Sequence, residues 1–279
     1  GDAAAYTLSN VSSSHTLTVS ADEGVTNGNA RGTMLTAAAY AAAVKADVTA
    51  DATLNLTLAA TASQTTVANA ARNDALTVTL NGTGDFAIND GGTGATTSND
   101  IDSLTLVVNG ADARTIALGA DDFTKALTLS GTQSGALAVT SVEATTITAS
   151  AIAGDTTITL AAVATDDDKV ITMGAGDDSV VASSVTIDRD DTINFGDGTD
   201  SLTVAALASA DDLTNSNDEY FENMTSLETL NLASGADVVL DDDAQAAGIV
   251  TVNVAAASDS TVSVQSDYSN ALAMTLGSG

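Results

Sequence analysis

The chain of 279 residues has no cysteine, no proline, no tryptophan and a single histidine, His15. Each absence closes off a class of protein. Without Cys there is no disulfide framework and no thiolate site, which fits export without disulfides. With one His there is no H-E-x-x-H zinc protease, and a Ser-His-Asp triad would have to use a residue set between Ser14 and Thr16 at a strand start. Without Trp the usual stacking platform for sugars is missing, which argues against a carboxylate-only glycosidase. No G-x-S-x-G elbow or P-loop is present, so the expectation is a protein that is not an enzyme.

Positive charge is scarce as well. Seven Lys and Arg stand against 37 Asp and Glu, leaving a formal charge of -30. Phosphate contacts need the cations this chain lacks, so nucleic acid is not an expected partner. No apolar run approaches the roughly 18 residues of a membrane helix, and aromatic girdles for a membrane barrel are wanting, so membrane insertion is not expected either. The excess carboxylates repel one another in a compact fold. Hard divalent cations relieve that repulsion, and Ca2+ suits carboxylate and carbonyl oxygen where soft or imidazole ligands are absent.

What the chain does have is alternation. Leu54-Asn55-Leu56-Thr57-Leu58, Leu76-Thr77-Val78-Thr79-Leu80, Thr157-Ile158-Thr159-Leu160 and Val250-Thr251-Val252-Asn253-Val254 place apolar residues on one face and Thr or Asn on the other, the pattern of half-buried strands. The strands recur at a longer interval, 22 to 24 residues along Leu58, Leu80, Leu104 and Leu127, 22 from Ile171 to Ile193, and 22 twice along Leu230, Val252 and Met274. That interval predicts an all-β, mainly parallel β-solenoid whose coils bury their apolar face by stacking on one another, with the series aligned in one column. An antiparallel sandwich with turns every roughly 8–12 residues would show a similar beat. The lack of Pro fits either arrangement, since both need an unbroken supply of backbone N–H donors. A short helix is expected near the N-terminus over Met34 to Asp47, where the sequence is Ala-rich, and a second, weaker one over Ser209 to Met224. Residues 1–100 read as a β-rich region carrying the helix and 101–279 as a calcium-binding solenoid continuous with it. The opening Gly1-Asp2-Ala3-Ala4 has no Met or basic segment, and the expectation is a processed product or a fragment of a longer chain.

The motifs that carry chemistry are Gly174-Ala175-Gly176-Asp177-Asp178-Ser179-Val180 and, 22 residues on, Gly196-Asp197-Gly198-Thr199-Asp200-Ser201-Leu202. Both fit the later positions of the nonapeptide G-G-x-G-x-D-x-U-x, with Met173 and Phe195 in place of the first glycine. Glycines permit a tight turn, the Asp offers hard oxygen, and the apolar residue points inward. Asp178 and Asp200 are therefore the expected calcium ligands, with Asp177, Asp190, Asp191 and Asp197 nearby and carbonyls of Gly174, Gly176, Gly196 and Gly198 completing the shell. Without a cation such crowded carboxylates should show raised pKa values. The runs Asp166-Asp167-Asp168 and Asp241-Asp242-Asp243 read at least as well as solvated loops.

Gly174–Val180, Asp191–Val204 and the stretch Phe221-Glu222-Asn223-Met224-Thr225-Ser226-Leu227-Glu228-Thr229-Leu230-Asn231-Leu232 together resemble the repeat-in-toxin type of bacterial surface-layer protein over roughly residues 166–260. The resemblance implies an extracellular, type I-secreted β-solenoid at the bacterial cell surface whose turns hold calcium and whose copies assemble into a lattice. Self-association is the implied partnership, with a cell-surface glycan or lipopolysaccharide engaged through another region. A passenger or adhesin repeat region of a large secreted calcium-binding protein shares the same features and is the alternative. The two motifs stand 22 residues apart, where tandem toxin repeats stand 9 or 18 apart.

Overall fold

The structure, a computed structural model, describes residues 6–8, 16–21, 44–48, 54–60, 75–81, 85–89, 103–119, 123–162, 167–182, 187, 189–204, 221–233, 238–255 and 261–277. The chain winds between two parallel sheets, placing one strand in each per coil. The first sheet has nine strands in the order β1 (Tyr6–Leu8), β3 (Val44–Val48), β5 (Ala75–Asn81), β7 (Ser103–Asn109), β9 (Ala126–Ser130), β11 (Thr146–Thr148), β13 (Val170–Thr172), β15 (Thr192–Asn194) and β17 (Met224–Thr225). The second has eleven: β2 (Thr16–Ala21), β4 (Leu54–Ala60), β6 (Phe86–Asn89), β8 (Arg114–Leu118), β10 (Leu137–Val142), β12 (Thr156–Leu160), β14 (Ser179–Ala182), β16 (Ser201–Val204), β18 (Thr229–Leu232), β20 (Thr251–Val254) and β22 (Ala273–Leu276). A small third sheet pairs β19 (Val238–Leu240) with β21 (Val262–Val264). This is an all-β parallel solenoid.

Alternation is what makes it so. In β7, β9, β12, β14 and β16 every second residue is buried and those between are half-exposed, so each strand turns one apolar face into the coil and one Thr- or Ser-bearing face outward. Buried residues stack from coil to coil in register columns: Ile158, Val180, Leu202, Leu230 and Val252 form one, which the exposed Met274 ends, and Ile147, Ile171, Ile193 and Met224 another on the opposite sheet. The columns fill the space between the sheets with Leu, Ile and Val, and Ile158, Val180, Leu202 and Ile193 are fully buried. Each such side chain contributes roughly 1.5–3 kcal/mol through burial.

The 22-residue interval is real but belongs to two columns. Leu230, Val252 and Met274 are successive partners in the eleven-stranded sheet, while Ile171 with Ile193 and Leu104 with Leu127 pair in the nine-stranded one. Leu58 and Leu80 lie in different sheets, and the true partner of Leu104 toward the N-terminus is Leu76. A coil holding two strands of similar pattern lets the eye step from one sheet to the other without noticing.

The short N-terminal helix is also corrected. Val44–Val48 is a strand, paired in parallel with β1 and β5, because the β-branched ends of Val-Lys-Ala-Asp-Val gain more from ladder pairing than the Ala-rich stretch gains from helix propensity. Residues 34–43 of that expected helix lie outside the described residues, as do residues 209–220 of the second; Phe221–Asn223 form a turn and Met224–Thr225 a strand. The helix described is α1 (Asp242–Ala247). It begins where Asp241 accepts the Ala244 N–H at 3.1 Å and ends at Gly248 in the left-handed region, whose N–H bonds back to Gln245 while Ile249 N–H reaches Ala244. The Leu227 N–H bonds to the Ala247 carbonyl at 2.9 Å, so this helix takes the place beside β17 that a further strand would have held. Among the described residues no helix is long and apolar enough to cross a membrane.

Candidate metal centre

Two corners join β13 to β14 and β15 to β16. They run Met173–Asp178 and Phe195–Asp200, one coil apart. Met173 and Phe195, which replace the first motif glycine, are buried and plug the coil interior under the turn. The glycines matter because the corners lie almost in contact. Gly196 (φ 93°) and Gly198 (φ 146°) hold left-handed backbone conformations, and a Cβ on either would collide with the carbonyl oxygen of Gly174 or Gly176 one coil away. Backbone bonds cross the same gap: Asp197 N–H to Gly174 O at 3.0 Å and Gly176 N–H to Asp197 O at 3.0 Å.

The motif aspartates stitch the coils together. Asp178 is buried, and its Oδ1 accepts the Thr156 N–H of the preceding coil at 2.7 Å while its Oδ2 accepts the Gly174 N–H of its own turn at 3.1 Å. Asp200, also buried, repeats the first bond through Oδ1 to the Asp178 N–H at 2.6 Å. Glu228 continues the column, accepting the Asp200 N–H at 2.8 Å. One position earlier the stitching runs the other way: exposed Asp155 accepts the Asp177 N–H at 2.9 Å and exposed Asp177 accepts the Thr199 N–H at 2.9 Å. Asp177 and Asp178 thus link their coil both forward and backward, where the strand ladder is interrupted by the turn.

The second oxygen of Asp200 differs. Gly196 N–H, the counterpart of the Gly174 donor, is taken by Asn194 Oδ1 at 3.1 Å, and Asp200 Oδ2 is buried with no hydrogen-bond partner. Burial pushes the Asp200 carboxyl up to about 6; the Asp178 N–H opposes that, and the charges of Asp178, Glu228 and Asp177 add to it. The Asp178 carboxyl is also raised, again chiefly by burial, against the pull of the Thr156 and Gly174 N–H groups. The corner therefore carries a column of three acidic residues on successive coils, with one buried oxygen left over.

Such a column suits a hard cation. Coils stack about 4.8 Å apart, close to twice a calcium–oxygen distance of about 2.4 Å, so an ion between two successive carboxylates meets both at contact distance. Asp200 Oδ2 is the oxygen already free to do so. The remaining candidate residues divide between two places. Asp177 and Asp197 are exposed on the same corner, where the carbonyls of Gly174 and Gly176 face the backbone of Gly196 and Gly198 one coil on. Asp190 and Asp191 sit at the opposite end of β15: Asp190 is exposed with an oxygen 3.9 Å from Arg189 Nε, and buried Asp191 accepts the Lys169 N–H at 2.6 Å. Three strand residues, about 10 Å of chain, separate them from the Gly196–Asp200 turn.

Glu228 and Asp155 belong to the ladder and escape motif reading, since neither lies in a Gly-Asp nonapeptide. The signal for Asp155 was Gly154-Asp155, 22 residues before Asp177; for Glu228 it was the match of Glu228-Thr229-Leu230 to Asp200-Ser201-Leu202. Elsewhere, the carboxylate oxygens of Asp241, Asp242 and Asp243 lie within 4.8 Å of one another, where they cap and charge the start of α1. No family model matches the chain, and neither the curated proteins nor the solved structures provide a match.

Proposed function

We propose that the protein is a structural subunit of a calcium-dependent bacterial surface layer or a related extracellular self-assembling polymer, without enzymatic activity. The observation that carries this is the Asp178–Asp200–Glu228 column, with its partnerless buried Asp200 oxygen, inside a solenoid of net charge -30. A carboxylate column that costs energy when empty and gains it when a divalent cation enters is a device for making a rigid rod only where calcium is plentiful, as it is outside cells. Asp200, with its free oxygen, would hold the ion together with the acidic residue of a neighbouring coil, Glu228 or Asp178, and with Asp177, Asp197 and the turn carbonyls as further oxygen donors. Calcium supplies charge neutralisation and cross-bridging between coils, and the regular, Thr-rich exterior suits packing among identical copies at the cell surface.

Electron microscopy and sedimentation of the intact chain, with millimolar calcium and again after chelation at constant ionic strength, test the reading. The expected result is ordered assemblies in calcium that loosen on chelation and are not restored by magnesium, which dehydrates reluctantly. Assemblies that persist after calcium is demonstrably removed would defeat calcium dependence. A chain that stays monomeric at high concentration in calcium would favour the passenger region of a secreted adhesin.

A further inference from the structure

The acidic residues are segregated. None of the eleven strands of the larger sheet contains an Asp, Glu or Lys, and the one charged residue among them, Arg114, is buried. All 37 acidic residues of the chain therefore lie outside this sheet. Its outward positions form rows of Thr, Ser, Asn and Ala with one Val, in parallel register: Thr157, Ser179, Ser201, Thr229 and Thr251 in one row, and Thr159, Val181, Thr203, Asn231, Asn253 and Thr275 in the next. Hydrogen bonds run along the rows, from Asn253 Nδ2 to Asn231 at 2.9 Å, from Asn231 Nδ2 to Thr203 Oγ1 at 3.3 Å and from Ser201 Oγ to Ser179 Oγ at 3.0 Å. The other sheet is less suitable, since it carries Lys45 and Asp47 in β3 and ends at the two-residue β17.

We propose that this neutral outer face of the eleven-stranded sheet is where a second copy of the chain packs, sheet against sheet, with the acidic corners kept to the rim. The inference rests on the self-assembly reading above and assigns its surface. Electrostatics selects the occupant: two copies each bearing -30 repel wherever their corners meet, and the uncharged face is the broad surface on which they approach without juxtaposing carboxylates. Size agrees. Eight strands from β8 to β22 (β8, β10, β12, β14, β16, β18, β20 and β22), at about 4.8 Å per strand and about 13 Å of strand length, give about 500 Å² per copy and about 1,000 Å² for the pair. That lies at the lower bound of specific interfaces, so a single contact is weak and an array of them is cumulative.

The absence of Cys makes the test direct. Thr159→Cys and Thr203→Cys, on the face, and Ala151→Cys, on an exposed turn, are each labelled with pyrene and compared in millimolar calcium across a concentration series. The expected result is excimer emission that rises with concentration for both face labels and is at least fivefold stronger than for the turn label. In unlabelled protein, Thr157→Asp and Thr203→Asp, each placing a charge on the face, should raise the concentration for half-association at least tenfold while leaving circular dichroism unchanged. Sedimentation separates the two levels. If the chain associates in calcium but face labels give no more excimer than the turn label, or both Asp variants associate as the parent does, the face assignment is overturned and the surface-layer reading stands. If the parent remains monomeric throughout, both fall.

Discussion

The corners at Asp178 and Asp200 are near copies, one coil apart, yet they meet opposite fates. At Asp178 both carboxylate oxygens accept backbone N–H groups; at Asp200 one does and the other is buried without a partner. The change responsible lies two residues before the turn glycine, where Thr172 in one coil becomes Asn194 in the next and its side chain captures the Gly196 N–H. A motif can thus be repeated faithfully while its chemistry is changed from its flank. The first corner is a hydrogen-bonded splice between coils, and the second is a splice with a vacant, proton- or cation-hungry oxygen.

The comparison is broken most severely by removing the close approach that both corners need. Gly198→Ala should cost more than about 3 kcal/mol, because a Cβ at φ 146° meets the Gly176 carbonyl and neither backbone can retreat without breaking the coil-to-coil bonds. Urea unfolding in calcium checks this. A loss under about 1 kcal/mol would mean the turns are not packed as described.

Replacing each aspartate by its amide sharpens the contrast, in chelator, where no ion intervenes. Asp178→Asn turns an amide donor against the Thr156 or Gly174 N–H and should destabilise by about 1–3 kcal/mol at pH 7.5. Asp200→Asn should do the reverse. With its folded pKa raised to about 6 from an ordinary 3.8, Asp200 binds its proton more tightly in the folded chain. Its contribution is therefore fully present below about pH 3.8 and is lost as pH rises through about 6. The loss is up to about 3 kcal/mol, and the amide, which never ionises, removes it. Unfolding curves from pH 4 to 8 should show the parent losing stability relative to Asp200→Asn across that window, with the two parallel above it. Parallel curves throughout would refute the buried, partnerless oxygen.

The smallest expected effect comes from restoring the missing donor. Asn194→Thr, which copies Thr172, should release the Gly196 N–H to Asp200 and lower the Asp200 pKa by about one unit. Carboxyl chemical shifts followed by NMR titration would report it. An unchanged pKa would place the origin of the difference outside Asn194.

How far these corners could be foreseen depends on what kind of signal each part leaves. The alternating Thr and aliphatic residues of Thr156–Leu160 or Ser201–Val204 dictate a strand, and the Gly-Asp turns mark where coils bend, so the parallel solenoid was legible. The column assignment was not, because Leu58 and Leu80 look alike from sequence although they serve different sheets. Asp178 and Asp200 were legible as corner residues; their hydrogen-bond partners one coil away were not, since nothing local in Thr156 or Glu228 announces a bond across 22 or 28 residues. Asp190 and Asp191, nearby in sequence, stand apart from them for a plain geometric reason: closeness in sequence across β15 is distance along a strand. Helix α1 had all its signals, an Asp cap, acidic first turn and terminal Gly248, but six residues is too short for periodicity to reveal.

Whether the second Asp200 oxygen takes calcium, as proposed, is decided by urea unfolding of the parent chain and of Asp200→Asn at pH 7.5, each in millimolar calcium and in chelator. Calcium should raise the parent's midpoint by the equivalent of at least about 2.7 kcal/mol, the linkage expected once free calcium exceeds the dissociation constant a hundredfold, and Asp200→Asn should lose most of this gain. Equal calcium responses in the two chains, or none in the parent, would contradict it.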